Sequence, residues 1–391
     1  CACLVGSEMC IRDRMHMDDA IYADESIYEY PMQQGGGNDG RPYSFGRPSS
    51  GGSKAAYPCK SYGQGRINPA YFYGIFDPND MRRDVSITMT GSNGKGVEKL
   101  IPFVPNSKAE GGGLTLNKWD ENRQANPWVA AQRKSGINGP YMRMSEVYLG
   151  YAEVCAALGD VVTGKQYLKT VRERSFPQGL ADTDGFIASF GNDLVRAIIE
   201  ERGFEYAGEG DRRWTLIRSG YLPEDIKRIK DMTKAMMDGL ATKGYYEFEN
   251  GNIISAYIWT KLVDAKTIYG HRLTAQCPMD KVNDPVLYPG WRGQKDNWEE
   301  MGLNYGNSAP ATNLAIKGLF EIVSEEEAAS LESQGYAKVN WGIDLVDYRD
   351  EYDKYLFWDY DYVSAPIYLW PFTPNVMAAG GFTNGYGFKQ E

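Results

Sequence analysis

The residues best equipped for chemistry lie between Ile198 and Tyr221, in the stretch IIEERGFEYAGEGDRRWTLIRSGY. Glu200, Glu201, Arg202 and Glu205 are followed there by Glu209, Asp211, Arg212, Arg213 and Arg218. Carboxylates four residues apart on a helix share a face, so Glu201 and Glu205 could form an acid/base pair. That role needs a nucleophile or a metal ligand beside them, and the segment offers neither. Alternating charge around Phe204, Trp214, Leu216 and Ile217 reads instead as a partly buried ion-pair network locking two helices together. On this reading Glu201, Glu205 and Arg212 are buried and paired with one another.

Other catalytic patterns are thin. The 2 histidines, His16 and His271, form no cluster, which removes an ordinary zinc site and leaves any Ser–His–Asp triad dependent on His271 alone. Gly91-Ser-Asn-Gly-Lys-Gly96 lacks P-loop spacing, and Gly208-Glu-Gly210 lacks the third glycine of a dinucleotide fingerprint. Asp182-Thr-Asp-Gly185 has no closing Glu for a calcium loop and reads as a structural turn. The 52 acidic residues leave a glycosidase pair open, but nothing singles one out. The sequence therefore assigns no catalytic residue, no metal ligand and no cofactor.

Binding chemistry is better represented. The chain carries 28 tyrosines, 14 phenylalanines and 9 tryptophans, and aromatic faces stack well against sugar rings. Most must fill the core, so the candidates are those in loops rather than on helices. Gln33–Gly65, rich in Gly, Ser, Pro and Tyr, supplies Tyr43, Tyr57 and Tyr62. The irregular stretch Tyr245–Asn307 supplies Tyr288, Trp291 and Trp298, with Trp259 in the same aperiodic region. Tyr148, Tyr151 and Trp214 are assigned to packing by their helical spacing.

The scaffold for these loops is helical. Met144, Val147, Tyr148, Tyr151, Ala152, Cys155 and Leu158 recur at helical spacing, while Met142, Leu149 and Ala156 occupy a second face. The spacing predicts a helix over Tyr141–Leu158, ended by Gly159, and covered on two sides as in a stacked array. Further helices are expected over Lys165–Arg174, Gly185–Ala207 and Leu222–Ala241, packed as tandem antiparallel pairs. Helix, tight turn and helix within about 34 residues match a tetratricopeptide-type unit. Short strands are expected at Val85–Met89 and Lys99–Val104, a capping box opens a helix at Ser324, and Asn340–Tyr362 should pack back on the scaffold.

Several blocks resemble the SusD/RagB family. Arg143, Met144, Ser145, Glu146, Tyr148, Leu149, Tyr151, Ala152 and Glu153 follow its R-L-A-E-x-Y-L-x-Y-A-E pattern. Leu168, Val171, Arg172 and Arg174 follow L-N-x-V-R-x-R with Lys169 in place of Asn. Glu201, Arg202, Glu205, Glu209, Gly210, Arg212, Leu216, Arg218 and Gly220 follow the third block, with Thr215 in place of Asp. Glu25–Glu29, Asp77–Asp84, Pro366–Pro374 and Asn384–Tyr386 are similar to further family segments in the same order. The resemblance implies a mostly α fold, with a tetratricopeptide-like repeat core at about 140–240 and long irregular loops facing ligand at about 33–130 and 245–310. It implies a lipid-anchored protein on the external face of the outer membrane. There it would bind glycans without catalysis and pass them to a SusC-like TonB-dependent receptor. A peptide-binding member of the family and a surface polysaccharide hydrolase are the alternatives.

The net charge of −10 and the pI of about 5.0 argue against nucleic acid as a partner. Residues 1–14, which include SEMCIRDR, look like translated sequencing adapter and are set aside from the fold; residues 15–391 are read as a single SusD-like domain. The resemblance implies that a signal peptide, an anchor cysteine and the first repeat helices are missing. Cys59, Cys155 and Cys277 then remain, too scattered for a disulfide framework.

Overall fold

A computed structural model describes residues 25–33, 45–46, 65–92, 98–101, 103, 113–119, 136, 138–176, 179–264, 312–349, 368 and 372–381. In chain order, strand β1 (Ser26–Tyr30) precedes one turn of π-helix (Tyr71–Ile75) and the short helix α1 (Met81–Ser86). Strands β2 (Ile87–Thr88), β3 (Thr90–Ser92), β4 (Glu98–Leu100), β5 (Thr115–Leu116) and β6 (Gly139–Arg143) follow. The helical body is α2 (Met144–Ala157), α3 (Val161–Glu173), α4 (Thr183–Ala188), α5 (Leu194–Glu205), α6 (Asp211–Ser219) and α7 (Leu222–Lys243). Beyond it come β7 (Tyr245–Glu247), β8 (Ile253–Ser255), β9 (Tyr257–Asp264), β10 (Thr312–Lys317), α8 (Glu325–Ser333), β11 (Ala337–Asn340), α9 (Gly342–Asp347) and α10 (Pro374–Gly380).

The fold is mostly α, as the pattern implied, with short antiparallel strands in five small sheets among the described residues. β1 pairs with β6, and β9 is the central strand between β10 and β11. Side-chain caps mark several helix starts. Asp160, Asp182 and Asp193 accept from the backbone N–H groups of Thr163, Gly185 and Arg196, and Ser324 accepts from that of Glu327. Asp182-Thr-Asp-Gly185 is therefore the turn that opens α4.

The boundaries differ from the expected ones in instructive ways. Tyr141 and Met142 belong to β6, and the helix begins only at Met144. The single helix expected over Gly185–Ala207 is broken into α4 and α5 at Gly191 and Asn192, both near φ 65. Asp193 then restarts the helix, and the apolar period survives the break because Ile187 and Leu194 still enter one core cluster. Val85 and Ser86 belong to α1, so the strand expected from Val85 is only Ile87–Thr88. The region from Tyr245 onward is not irregular throughout: β7, β8 and β9 occupy it, and Trp259 is buried in β9.

The inward face of α2 also differs. Leu149, Ala152 and Cys155 are buried, while Val147, Tyr151, Val154 and Leu158 face outward. Trp214, assigned to packing, is 55% exposed, and Tyr151 is about half exposed although its ring meets Tyr167 edge-on at 5.0 Å. Two main cores result. A helical one joins Leu149, Leu168, Val171, Leu194 and Ile198. The larger one lies where α5, α7 and α9 meet the strands, and contains Phe72, Phe76, Phe204, Met236, Leu240, Ile258 and Trp341. The stretch expected as ligand-facing loop at about 33–130 thus contributes buried core residues. Trp341 and α9 do pack back on the scaffold, against α7.

Candidate ligand-binding site

The motif carboxylates come together, but as ballast rather than as a reactive pair. Glu201 and Glu205 stand four residues apart on α5 and are fully buried. Arg82 of α1 donates from Nη1 to Glu201 at 2.6 Å and to Glu205 at 3.2 Å, and from Nη2 to Asp80 at 2.6 Å. Arg172 reaches the other oxygen of Glu201 at 2.9 Å. Arg143 and Arg174 donate to Glu205 Oε1 at 2.8 and 2.6 Å. Both also hold Glu25. Glu209 accepts from Arg143 and from Lys118, whose ammonium also bonds the Glu205 carbonyl.

Five acids at hydrogen-bond distance, Glu25, Asp80, Glu201, Glu205 and Glu209, face Arg82, Lys118, Arg143, Arg172 and Arg174, and Asp77 adds a longer pair to Arg172 at 3.9 Å. Burial alone would raise the carboxyl of Glu205, yet Arg174, Arg143 and Arg82 hold it well below the usual carboxylate range. A carboxylate locked in its charged form by three guanidiniums cannot shuttle protons near neutrality.

Arg212 is not part of this network, contrary to the expected pairing with Glu201 and Glu205. It points to the next side chains along the helices, donating to Glu200 at 2.8 Å and to Asp225 at 2.9 Å. Arg228 bonds the same two carboxylates at 2.8 and 2.6 Å. Burial would raise Glu200, but Arg212 and Arg228 overcome it and hold the group down to about 2. Successive helix residues point about 100° apart, which is why Glu200 and Glu201 feed separate clusters.

Beside the second network opens a cleft of about 1030 Å³. Phe186, Phe190, Tyr221 and Phe248 line it with rings and Asp193, Arg196 and Glu224 with charged groups; Asn250 lines it too, with its amide committed to the Tyr73 and Phe76 carbonyls and the Asn252 N–H. Arg196 is buried with its guanidinium 4.5 Å from the centre of the Tyr221 ring. Rings interleaved with carboxylate and guanidinium groups can stack a sugar face and bond its hydroxyls. Sequence reasoning missed these residues, because most sit at or near helices, where spacing reads as packing, while Phe248 and Asn250 follow strand β7.

Tyr43, Tyr57, Tyr62, Tyr288, Trp291 and Trp298 lie outside the described residues, as do His16, His271, Cys59, Cys277 and the segment 1–14.

The sequence profile of the SusD family matches residues 19–371. The chain belongs to the SusD family. The SusD-like protein P25 of Formosa agariphila is 28% identical over 160 residues, 41% of this chain and 26% of that protein. Among solved structures, a SusD homolog from Bacteroides thetaiotaomicron aligns at 20% identity and a TM-score of 0.38, over 55% of this chain and 44% of that one. Surface glycan-binding protein A of the same organism, in complex with laminarihexaose, aligns at 17% identity and a TM-score of 0.36, over 56% and 49%. The match thus spans about a quarter of P25 and under half of either solved chain.

In this SusD-family chain the ion-pair network collects residues from five separated motif blocks: Glu25, Asp80 with Arg82, Arg143, Arg172 with Arg174, and Glu201 with Glu205 and Glu209. Of the two departures, Lys169 is exposed and pairs with Glu173 at 3.4 Å. Thr215 donates its hydroxyl to Asp211 at 2.9 Å and accepts from Arg202, so a local hydrogen bond is kept.

Proposed function

We propose that this protein binds glycans at the cell surface without cleaving them and hands them to a SusC-like TonB-dependent outer-membrane receptor. Membership of the SusD family across residues 19–371 carries this reading. Surface glycan-binding protein A of Bacteroides thetaiotaomicron, to which the chain is similar, is named for glycan binding and was solved with laminarihexaose. The aromatic and polar lining of the cleft between Phe186 and Asn250 supplies matching chemistry. Tyr43, Tyr57, Tyr62, Tyr288, Trp291 and Trp298 are proposed to extend that surface from the loops. Binding consists of ring stacking against the C–H faces of sugars, with Asp and Arg side chains taking the hydroxyls. A glycosidase acid needs a raised pKa. Glu200, in the cleft wall, is held down to about 2, the reverse of that requirement.

Among the described residues no helix is long and apolar enough to cross a membrane. Surface attachment is proposed to rest on a lipid anchor, on the strength of family membership.

Titration calorimetry with laminarihexaose, maltohexaose and cellohexaose tests binding, and a reducing-sugar assay on the same mixtures tests cleavage. Saturable binding without new reducing ends is expected; release of reducing ends would replace this reading with hydrolysis. Trp291→Ala with Trp298→Ala should weaken binding at least about tenfold, the loss of roughly one stacked ring. Their melting temperature should stay near that of the unaltered protein. A collapse in stability instead would make both tryptophans core residues.

A further inference from the structure

The β1–β6 ribbon buries little of its own, yet it is fastened at both ends. An isolated two-stranded ribbon is marginally stable in water, so its persistence here needs outside support. At one end Glu25 accepts from Arg143 and Arg174 at 3.3 and 3.0 Å, and its carbonyl accepts from the Met144 N–H at 2.8 Å. At the other end the ribbon is clasped on itself: Asn138, just before β6, accepts from the Met32 N–H at 3.0 Å and donates to Glu29 of β1 at 2.9 Å. The first tether belongs to the buried ion-pair network, which ties the ribbon to α3 and α5.

What this fastening holds in place is a set of exposed rings. Tyr28 is 57% exposed, Tyr30 63% and Tyr141 76%. The pairing runs Ser26 to Arg143, Tyr28 to Met142 and Glu29 to Pro140, so Ile27 and Tyr141 are the residues skipped in each strand. A bulge of this kind re-aims a side chain, and bulges gather next to binding sites. Here the bulged residue is Tyr141, whose ring stands edge-on to Tyr28 at 5.8 Å and 84°. Two perpendicular rings make a corner with an open face on each wall. Tyr30 follows along the strand at about 7 Å from Tyr28, by the rise of extended chain.

We infer that Tyr28, Tyr30 and Tyr141 form a second glycan-contact surface, a rigid platform for the C–H faces of a neutral oligosaccharide; this rests on the glycan-binding reading above. Rings that are uncharged and carry hydroxyls at their tips suit a ligand that alternates apolar faces with hydroxyl edges. Rigid display lowers the ordering cost of binding, which is the energetic use of two tethers on an otherwise marginal ribbon. Among the described residues nothing buries the three rings, and exposed aromatic clusters mark interaction sites.

The test repeats the calorimetry with the same three hexasaccharides on Tyr28→Ala/Tyr141→Ala, Tyr30→Ala and Tyr141→Phe. The double variant should lose about tenfold in affinity, corresponding to roughly one stacking contact of 1.4 kcal/mol, and Tyr141→Phe less than about threefold because the ring face remains. Tyr30→Ala should fall between them, and the melting temperature should not move for any variant, since the rings are exposed. Unchanged affinity in the double variant, with binding by the unaltered protein intact, overturns the platform and leaves the glycan reading standing. Equal losses for Tyr141→Phe and the double variant overturn stacking as the mechanism. A drop in melting temperature that accounts for the lost affinity overturns it in favour of packing. Absence of binding to all three sugars by the unaltered protein removes the glycan reading, and the platform with it.

Discussion

At the scale of single residues, charge is spent on holding the scaffold together. Arg82 satisfies Asp80, Glu201 and Glu205 at once from a fully enclosed position; its removal takes from buried Asp80 the guanidinium that meets both its oxygens, while Glu201 keeps Arg172 and Glu205 keeps Arg143 and Arg174. Arg82→Ala should cost about 3–5 kcal/mol, the range for breaking a buried pair from one side. Arg212 looks equivalent in the sequence but is not. Its partners Glu200 and Asp225 keep Arg228, so Arg212→Ala should cost clearly less, about 1–3 kcal/mol. Chemical denaturation of both variants checks the order, and equal losses would show that Arg228 does not compensate. Partner choice was not legible in the residue pattern, because adjacent carboxylates on α5 diverge toward different helices.

At the scale of elements, close approach decides what each position tolerates. Gly164 of α3 lies where a Cβ would meet the Ala152 carbonyl at 3.0 Å and a Leu194 methyl at 3.1 Å. Gly164→Val should therefore push α3 off α2 and α5, at about 1–3 kcal/mol, the usual cost of overpacking. Gly150 of α2 has no such neighbour, and Gly150→Ala should be neutral or slightly stabilising in the same melt. At the junction of α4 and α5, Asp193 is the cap that allows a second helix to start after Asn192. Asp193→Ala should lose about 1 kcal/mol and fray α5 from its first turn, seen as faster amide exchange there. The break itself was hidden because the apolar period runs through it in phase.

At the scale of the whole molecule, the buried networks predict how the protein responds to acid. The carboxyls of Glu205 and Glu200 lie below their ordinary values in the folded state, despite burial, because of their arginine partners. A depressed carboxylate contributes stability that is fully present above the unfolded value, about 4.3, and is lost as pH falls through the folded one. The melting temperature should stay nearly flat from pH 7 to about 5 and fall steeply toward about 2, the value for Glu200. Salt should soften this little, since buried pairs are poorly screened. A melting temperature unchanged down to pH 2.5 would mean that the networks contribute nothing net.

The sequence by itself determined the helical body, the capped start at Ser324, the burial of Glu201 and Glu205, and the family. These follow from local rules: side-chain period, cap chemistry, and charge alternation that must be paired once buried. The tertiary structure alone decided which arginine meets which carboxylate, that Val147, Tyr151 and Val154 face outward while Leu149 and Ala152 face inward, and that Phe72, Phe76 and Trp341 are core. It also brought together the cleft rings Phe186, Phe190, Tyr221 and Phe248, which lie on separate segments of the chain. An all-round apolar helix such as α2 does not state which face is covered, and residues far apart in the chain become neighbours only through packing.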